Sequence, residues 1–297
     1  MAFTLVLNSS NNYNTQTNTQ FKYNFLGGNF IADDMEMCVS AISMPYSFFN
    51  VSQYYNNQSF QIIFPVGNTT QTLTITLTAG FYTVSDIQNF IQNQCISNGY
   101  YLINASGQYV YYLNLATNTT YYSTQLVATK VPTTLPSGWS YATSGAWNAA
   151  SSGATGLPSV ANQVPQLVIL STNTFGTIIG YAAGTFPTSA TQASGVYTTL
   201  GTITPVGSTV NSIVMRCSII KNNVAIPSDI LDSFPINATF GSNINYVPSF
   251  EKWISVNNGT FNNFTLNFVD QNLNTIYAND PNVAVTLLIR KKKDTKI

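Results

Sequence analysis

Residues 262–290 read NNFTLNFVDQNLNTIYANDPNVAVTLLIR and hold two alternating runs. In the first, Phe264, Leu266 and Phe268 alternate with Thr265 and Asn267. In the second, Val283, Val285, Leu287 and Ile289 alternate with Ala284, Thr286 and Leu288. Successive side chains of an extended chain point to opposite faces, so each run offers one face for burial. The Asn-rich stretch between them, ending at Pro281, reads as a turn. The segment therefore predicts two strands rather than a helix.

The same period extends through the chain. Phe3, Leu5 and Leu7 follow it, as do Phe21, Tyr23 and Phe25. So do Leu73, Ile75 and Leu77, and then Ile213, Met215, Cys217 and Ile219. Threonine and tyrosine on the opposite faces suit a pleated surface. Many short strands between Asn, Gly and Pro turns point to a sandwich or barrel. One helix is predicted in GFYTVSDIQNFIQNQC. There Thr83 or Ser85 caps the first turn, Asp86 meets the positive end of the dipole, and Val84, Ile87, Ile91 and Cys95 recur at helical spacing.

Charge divides the chain. Residues 56–205 contain two charged residues, Asp86 and Lys130, and the other 18 lie outside them. This places an insertion at 56–205 inside a split outer domain of 1–55 and 206–297. Outer strands are expected at 3–7, 20–26, 36–44, 210–219, 238–247, 251–257, 262–269 and 282–290, the eight that a jelly roll requires. The fold class is thus all-β: a single jelly-roll sandwich with a large β-rich insertion that contains one short helix. Within the insertion, 131–165 reads as a long loop anchored by Trp139 and Trp147.

Composition excludes several classes. Charged residues make up 7% of the chain, against about 25% in ordinary globular proteins. So few charges leave little repulsion between copies and favour association. An AT-rich coding sequence accounts for some of the Asn but not for the scarcity of Lys. Hydrophobic residues at 44% and aromatics at 13% argue against disorder. No run of about 20 apolar residues predicts a membrane-spanning helix. The start, MAFTLVLNSSNN, lacks a basic leader, so synthesis in the cytoplasm is expected. Cys38, Cys95 and Cys217 are too widely spaced for a disulfide framework and read as buried thiols. Sequons such as Asn68 and Asn118 are expected by chance in so Asn- and Thr-rich a chain.

Catalytic chemistry has little to work with. The chain has no histidine, which removes His-based triads and His-containing zinc sites. Asp33, Asp34 and Glu36 read as a solvated turn before a strand. Asp229 and Asp232, in the apparent loop PSDILDSFP, are the weak alternative of a carboxylate pair for glycoside hydrolysis. The stretch from Asp270 opens like a calcium loop but lacks the sixth-position Gly and twelfth-position Glu. No catalytic residue, cofactor or metal site is assigned. The basic end, RKKKDTKI, gathers Arg290, Lys291, Lys292, Lys293 and Lys296, a solvated tail or a weak, salt-sensitive contact to nucleic acid or an acidic partner. The tyrosines of YYLINASGQYVYYLNL, with Tyr121 and Tyr122, serve sheet packing, a protein interface or a glycan platform.

Five segments carry a family resemblance. ISMPYSFFNVSQYYNNQSF, TLTITLTAGFYTVSDIQNFIQNQ and TFGTIIGY, followed by FNNFTLNFVDQNLNTI and VAVTLLIRK, resemble the minor capsid (penton) proteins of virophages and Maverick/Polinton-type elements. The match covers about 40–100, 170–185 and 260–291, leaves 100–165 unmatched, and in size suits the mavirus-like members. The resemblance implies a jelly-roll base set in an icosahedral shell and an insertion projecting outward. It implies a homopentamer at each fivefold vertex, the major capsid protein of the same virus as neighbour, location in the virion, and no catalytic residues. A viral surface module that binds a host receptor or glycan is the alternative reading.

Overall fold

A computed structural model describes residues 2–292. The chain forms two compact units, one of Met1–Phe49 with Thr209–Ile297, the other of Asn50–Ser208. The first unit opens with β1 (Ala2–Leu7), β2 (Gln20–Asn24), β3 (Phe30–Ala32) and β4 (Met35–Pro45). The second unit begins with β5 (Ser59–Val66), β6 (Thr69–Thr76), α1 (Val84–Asn98), β7 (Leu102–Ile103), β8 (Tyr109–Val110), β9 (Leu113–Asn118) and β10 (Ser123–Thr129). It continues with β11 (Gln166–Ile169), α2 (Phe175–Ile179), β12 (Gly184–Phe186) and β13 (Val196–Leu200). The first unit resumes with β14 (Ser212–Cys217), β15 (Ile220–Lys221), β16 (Ile230–Pro235) and β17 (Asn243–Tyr246). It closes with β18 (Ile254–Val256), β19 (Gly259–Phe261), β20 (Asn263–Asp270) and β21 (Ala284–Lys291).

Two antiparallel sheets build the first unit. One runs β1-β21-β4-β18-β15, with β17 also on β4; the other runs β16-β14-β20-β2. Residues Glu36, Met37, Ile42 and Ser43 of β4 face β21 on one side and β18 or β17 on the other. So β17 and β18 occupy one position along β4, interrupted at 247–253. Counted in that way, with the two- and three-residue strands β3, β15 and β19 set aside, eight strands lie in the order 1-8-3-6 and 2-7-4-5. This is the interleaved Greek-key order of a jelly roll.

The alternating residues fill its core. Leu5, Leu7, Ile213, Met215, Cys217, Phe264, Leu266, Phe268, Val285, Leu287 and Ile289 are all buried. Phe21 of β2 meets Phe268 of β20 edge to face at 5.8 Å. Each such large apolar side chain contributes roughly 1.5–3 kcal/mol by leaving water.

Two sequence expectations for this unit need correction. Residues 238–247 and 251–257 are not two sheet positions but the two halves of one. The eighth position belongs to β16, where the sequence predicts a loop around Asp229 and Asp232. The cause is a bulge. Met215 pairs with Asp232 and Arg216 with Ile230, so Leu231 is skipped. Leu231 and Asp232 are then both buried, which breaks the period of two.

The second unit holds a four-stranded sheet, β12-β11-β5-β6, and a three-stranded one, β13-β10-β9. Phe60 stacks on Phe175 at 4.3 Å and Phe64 on Tyr100 at 3.9 Å. Helix α1 starts on a capping box: the Thr83 hydroxyl accepts from the Asp86 N–H, and the Asp86 carboxylate accepts from the Thr83 N–H. It stops at Gly99, whose φ of +73° is left-handed and whose Cα lies so close to Ser144 that a Cβ would meet its carbonyl oxygen. Ile87, Ile91 and Cys95 bury its apolar stripe. Gln88 then finishes the outer edge of β9: its Oε1 accepts from Leu115 N–H at 2.8 Å and its Nε2 donates to the Asn114 side chain at 3.0 Å.

The expected single helix is joined by a second, the five-residue α2 in TFGTIIGY. Its shortness left too few turns for a helical period to register. The stretch 131–165 is irregular, as expected. Trp147 is fully buried, meets Phe64, Tyr100 and Tyr112 edge to face, and donates from its indole N–H to the Pro65 carbonyl at 2.9 Å. Trp139 lies half-buried against the same core.

Candidate assembly surface

Antiparallel strand directions divide the loops of the jelly roll between two ends. At one end lie the connections 8–19, 236–242, 271–283 and the departure into the second unit. At the other lie 25–34, 218–229, 257–262, the start of β1 and the end of β21. Backbone bonds knit this second end together. Strand β3 pairs with β19, Phe25 N–H donates to Asn262 at 2.9 Å, Asn257 N–H to Ile219 at 2.8 Å, and Lys292 N–H to Asp34 at 2.7 Å.

Aliphatic side chains stand out from this end. Leu26 is 96% exposed, Val224 95% and Ile226 96%. Leu26 is held out by a turn that Gly28 N–H closes on the Phe25 carbonyl, with Gly27 and Gly28 both left-handed at φ of +93° and +92°. Below it, Phe25 stacks on Phe30 at 4.7 Å, and Phe30 meets Phe3 at 6.2 Å. Apolar loop tips on a rigid aromatic base are surface that a monomer gains nothing by exposing. Strands β1 and β15 edge one sheet and β2 and β16 the other. The outer side of β2 is covered by its own chain, since Tyr13 N–H donates to the Gln20 carbonyl and the Asn11 amide to the Lys22 carbonyl, so the longest open edge is that of β1.

Several charged residues of the first unit pair with one another. Asp229 takes a two-pronged bond from Arg216, whose terminal nitrogen lies 2.8 Å away. The Asp232 side chain is 3% exposed and accepts from Lys252 Nζ at 2.7 Å, the Tyr246 hydroxyl at 2.9 Å and the Ser233 N–H at 2.8 Å. The Asp232 bond raises the Lys252 pKa, and burial raises that of Tyr246. Both carboxylates proposed for glycoside hydrolysis are therefore held by cations of the same unit. Asp270 accepts from the Asn272 and Asn274 N–H groups at 2.8 Å, which makes its segment a turn, as expected. Asp33 and Asp34 lie in an exposed turn.

The basic end is not one cluster. Arg290 lies in β21 opposite Glu36 of β4, bonds to its carboxylate, and stacks its guanidinium 3.6 Å from the Trp253 ring centre. Lys291 Nζ lies 3.8 Å from Asp33, and the Lys292 side chain is exposed. Lys293 and Lys296 lie outside the described residues.

Cys38, Cys95 and Cys217 are free and buried, and burial pushes their thiols up to about 11, 12 and 12. Among the described residues, no three His, Cys, Asp or Glu side chains gather as a metal site would need. No helix among them is long and apolar enough to cross a membrane. Tyr100, Tyr101 and Tyr112 are buried in packing, while Tyr109, Tyr121 and Tyr122 are exposed.

Two virophage proteins resemble the chain. The penton protein of mavirus aligns at 9% identity over 98% of this chain and 100% of that one, with a TM-score of 0.42. A chain in the structure of the Sputnik virophage aligns at 11% identity over 100% of this chain and 99% of that one, with a TM-score of 0.38. No protein-family model and no curated protein matches the sequence.

The exposed tips escaped the sequence reading. Leu26 sits beside two glycines and Ile226 before Pro227, so a large aliphatic residue inside a turn signal was the available clue.

Proposed function

We propose that the chain is a structural capsid protein of a virophage-like particle, the penton that closes each fivefold vertex as a homopentamer. The observation that carries this reading is the 1-8-3-6 and 2-7-4-5 strand order, with a whole second unit spliced between the third and fourth strands. Jelly rolls of this order are building blocks of viral shells. A ring needs a heterologous interface whose rotation closes after five copies. The exposed tips at Leu26, Val224 and Ile226 and the open strand edges offer apolar area and backbone groups for such contacts, with the major capsid protein as the outer neighbour. Arg216, Lys252 and Arg290 add little to such contacts, because each is already paired within its own chain.

In this reading the second unit faces outward and the protein resides in the virion after synthesis in the host cytoplasm. Any contact to the genome falls to Lys291, Lys292, Lys293 and Lys296, since Arg290 is engaged at Glu36 and Trp253. No catalytic step is assigned to Asp229 or Asp232.

The test is the mass of the purified protein in solution with negative-stain imaging. Fivefold rings of about five times the 32.4 kDa chain are expected. A monomer at all concentrations, or a ring of another order, overturns the reading.

A further inference from the structure

Asparagine precedes glycine twice in this chain, at Asn98–Gly99 and at Asn258–Gly259. We propose that Asn258 is a self-modifying site, which the folded protein converts to aspartate and isoaspartate, while Asn98 is held inert.

The reaction consumes one water, releases ammonia and uses no oxidant or metal. The Gly259 backbone nitrogen loses its proton to solvent hydroxide and attacks Cγ of Asn258. A C–N bond forms and closes a succinimide ring. The Cγ–Nδ2 bond breaks, and Nδ2 takes a proton from water and leaves as ammonia. Water then opens the ring at either carbonyl. One opening restores the main chain with an aspartate. The other routes the main chain through Cγ and leaves isoaspartate. Glycine permits the attack because it puts no Cβ in the path of the closing ring.

The fold leaves Asn258 free to react. It lies in the two-residue link between β18 and β19, and both it and Gly259 are exposed. Gly259 has a φ of +153°, a conformation kept for glycine, and a Cβ there would meet only the ring of Phe261, at 3.7 Å. The Asn258 Oδ1 accepts from the Asp34 N–H at 3.2 Å. That N–H draws electrons from Cγ and is already in place for the negative charge that the oxygen takes on as the nitrogen attacks.

The fold closes Asn98. It is the last residue of α1, its Nδ2 donates to the Gln94 carbonyl at 2.8 Å, and its own carbonyl accepts from Ala146 N–H at 3.0 Å. Gly99 is buried, and its N–H is held by the carbonyls of Cys95 and Ile96. Nucleophile and leaving group are both bonded, so ring closure waits for the last turn of the helix to open, and its rate falls by the free energy of that opening.

The two products act differently on the protein. Aspartate keeps the Asp34 N–H and strengthens that bond with its charge. Isoaspartate adds a methylene to the main chain just before Gly259, whose pairing with Ala32 joins β19 to β3. It therefore strains the end of the jelly roll that these strands knit together.

The proposal stands independently of pentamer formation. The full chain is incubated at mildly alkaline pH and followed by peptide mass mapping and by labelling with an isoaspartyl methyltransferase. In the folded protein the Asn258 peptide is expected to gain about one mass unit and the label at least about tenfold faster than the Asn98 peptide, and in urea the two should react at similar rates. Asn258→Gln should abolish the label at that position at an unchanged melting temperature. Equal rates at the two sites in the folded protein, an Asn258 that reacts only in urea, or a mass gain without isoaspartate overturns the proposal.

Discussion

The Arg290 guanidinium lies 3.6 Å from the centre of the Trp253 ring while its Nε bonds to Glu36, directly opposite on β4. One side chain thus ties β21, β4 and the segment leading into β18. Arginine does this through a flat face for the ring and a fork for the carboxylate, and lysine has neither. Arg290→Lys should lower the stability of the protein by about 1–2 kcal/mol, measured by urea unfolding. Retention of DNA at low salt should not change with it. An unchanged unfolding midpoint, or a loss of DNA retention as large as that of a variant lacking 291–297, would show that Arg290 belongs with the tail.

Asp232 is a buried charge of the first unit, and Lys252 and Tyr246 hold it. Removing the carboxylate strands a lysine and a tyrosine hydroxyl together, so Asp232→Ala should cost about 3 kcal/mol. The pH dependence has a definite sign. Lys252 and Tyr246 both have folded pKa values raised above 10.5 and 10.0. Their stabilisation is complete below those values and disappears as pH rises through the folded ones. Thermal melts from pH 8 to 11.5 should fall steeply at the alkaline end for the native protein and less steeply for Asp232→Ala. Parallel curves would mean that the network does not control alkaline stability.

Trp147 anchors the irregular stretch 131–165 through ring contacts and the bond to Pro65. Trp147→Ala opens a cavity and removes that bond, a loss of about 3–5 kcal/mol. Limited proteolysis should then cut within 131–165 first, at protease concentrations that leave the native protein whole. Unaltered cleavage would assign the anchoring to other residues.

Leu26, Val224 and Ile226 touch little of their own chain. Replacing all three with serine should leave the monomer's stability within about 0.5 kcal/mol per site and yet reduce ring formation in sedimentation velocity. Full assembly by the triple variant would move the interface to the strand edges.

Much of this architecture was legible in the alternation of side chains. Phe264, Leu266 and Phe268 announced a strand with one buried face because a period of two is a property of the extended chain itself, and Thr83 with Asp86 announced a helix start for the same local reason. The turn at Asp270 was equally local. Strand β16 was not legible, because the skipped Leu231 hides its period and the reason for the buried Asp232 lies 20 residues away at Lys252. Nor did composition distinguish Arg290 from the lysines that follow it. Sequence alone therefore determined where the alternating segments extend, where the longer helix coils, and where charge is absent. Tertiary structure decided which strands are neighbours, that β17 and β18 share one position, and that the Asp34 N–H meets the Asn258 amide. Propensity and periodicity act between near neighbours, whereas pairing and burial join residues whose separation along the chain leaves no trace in either.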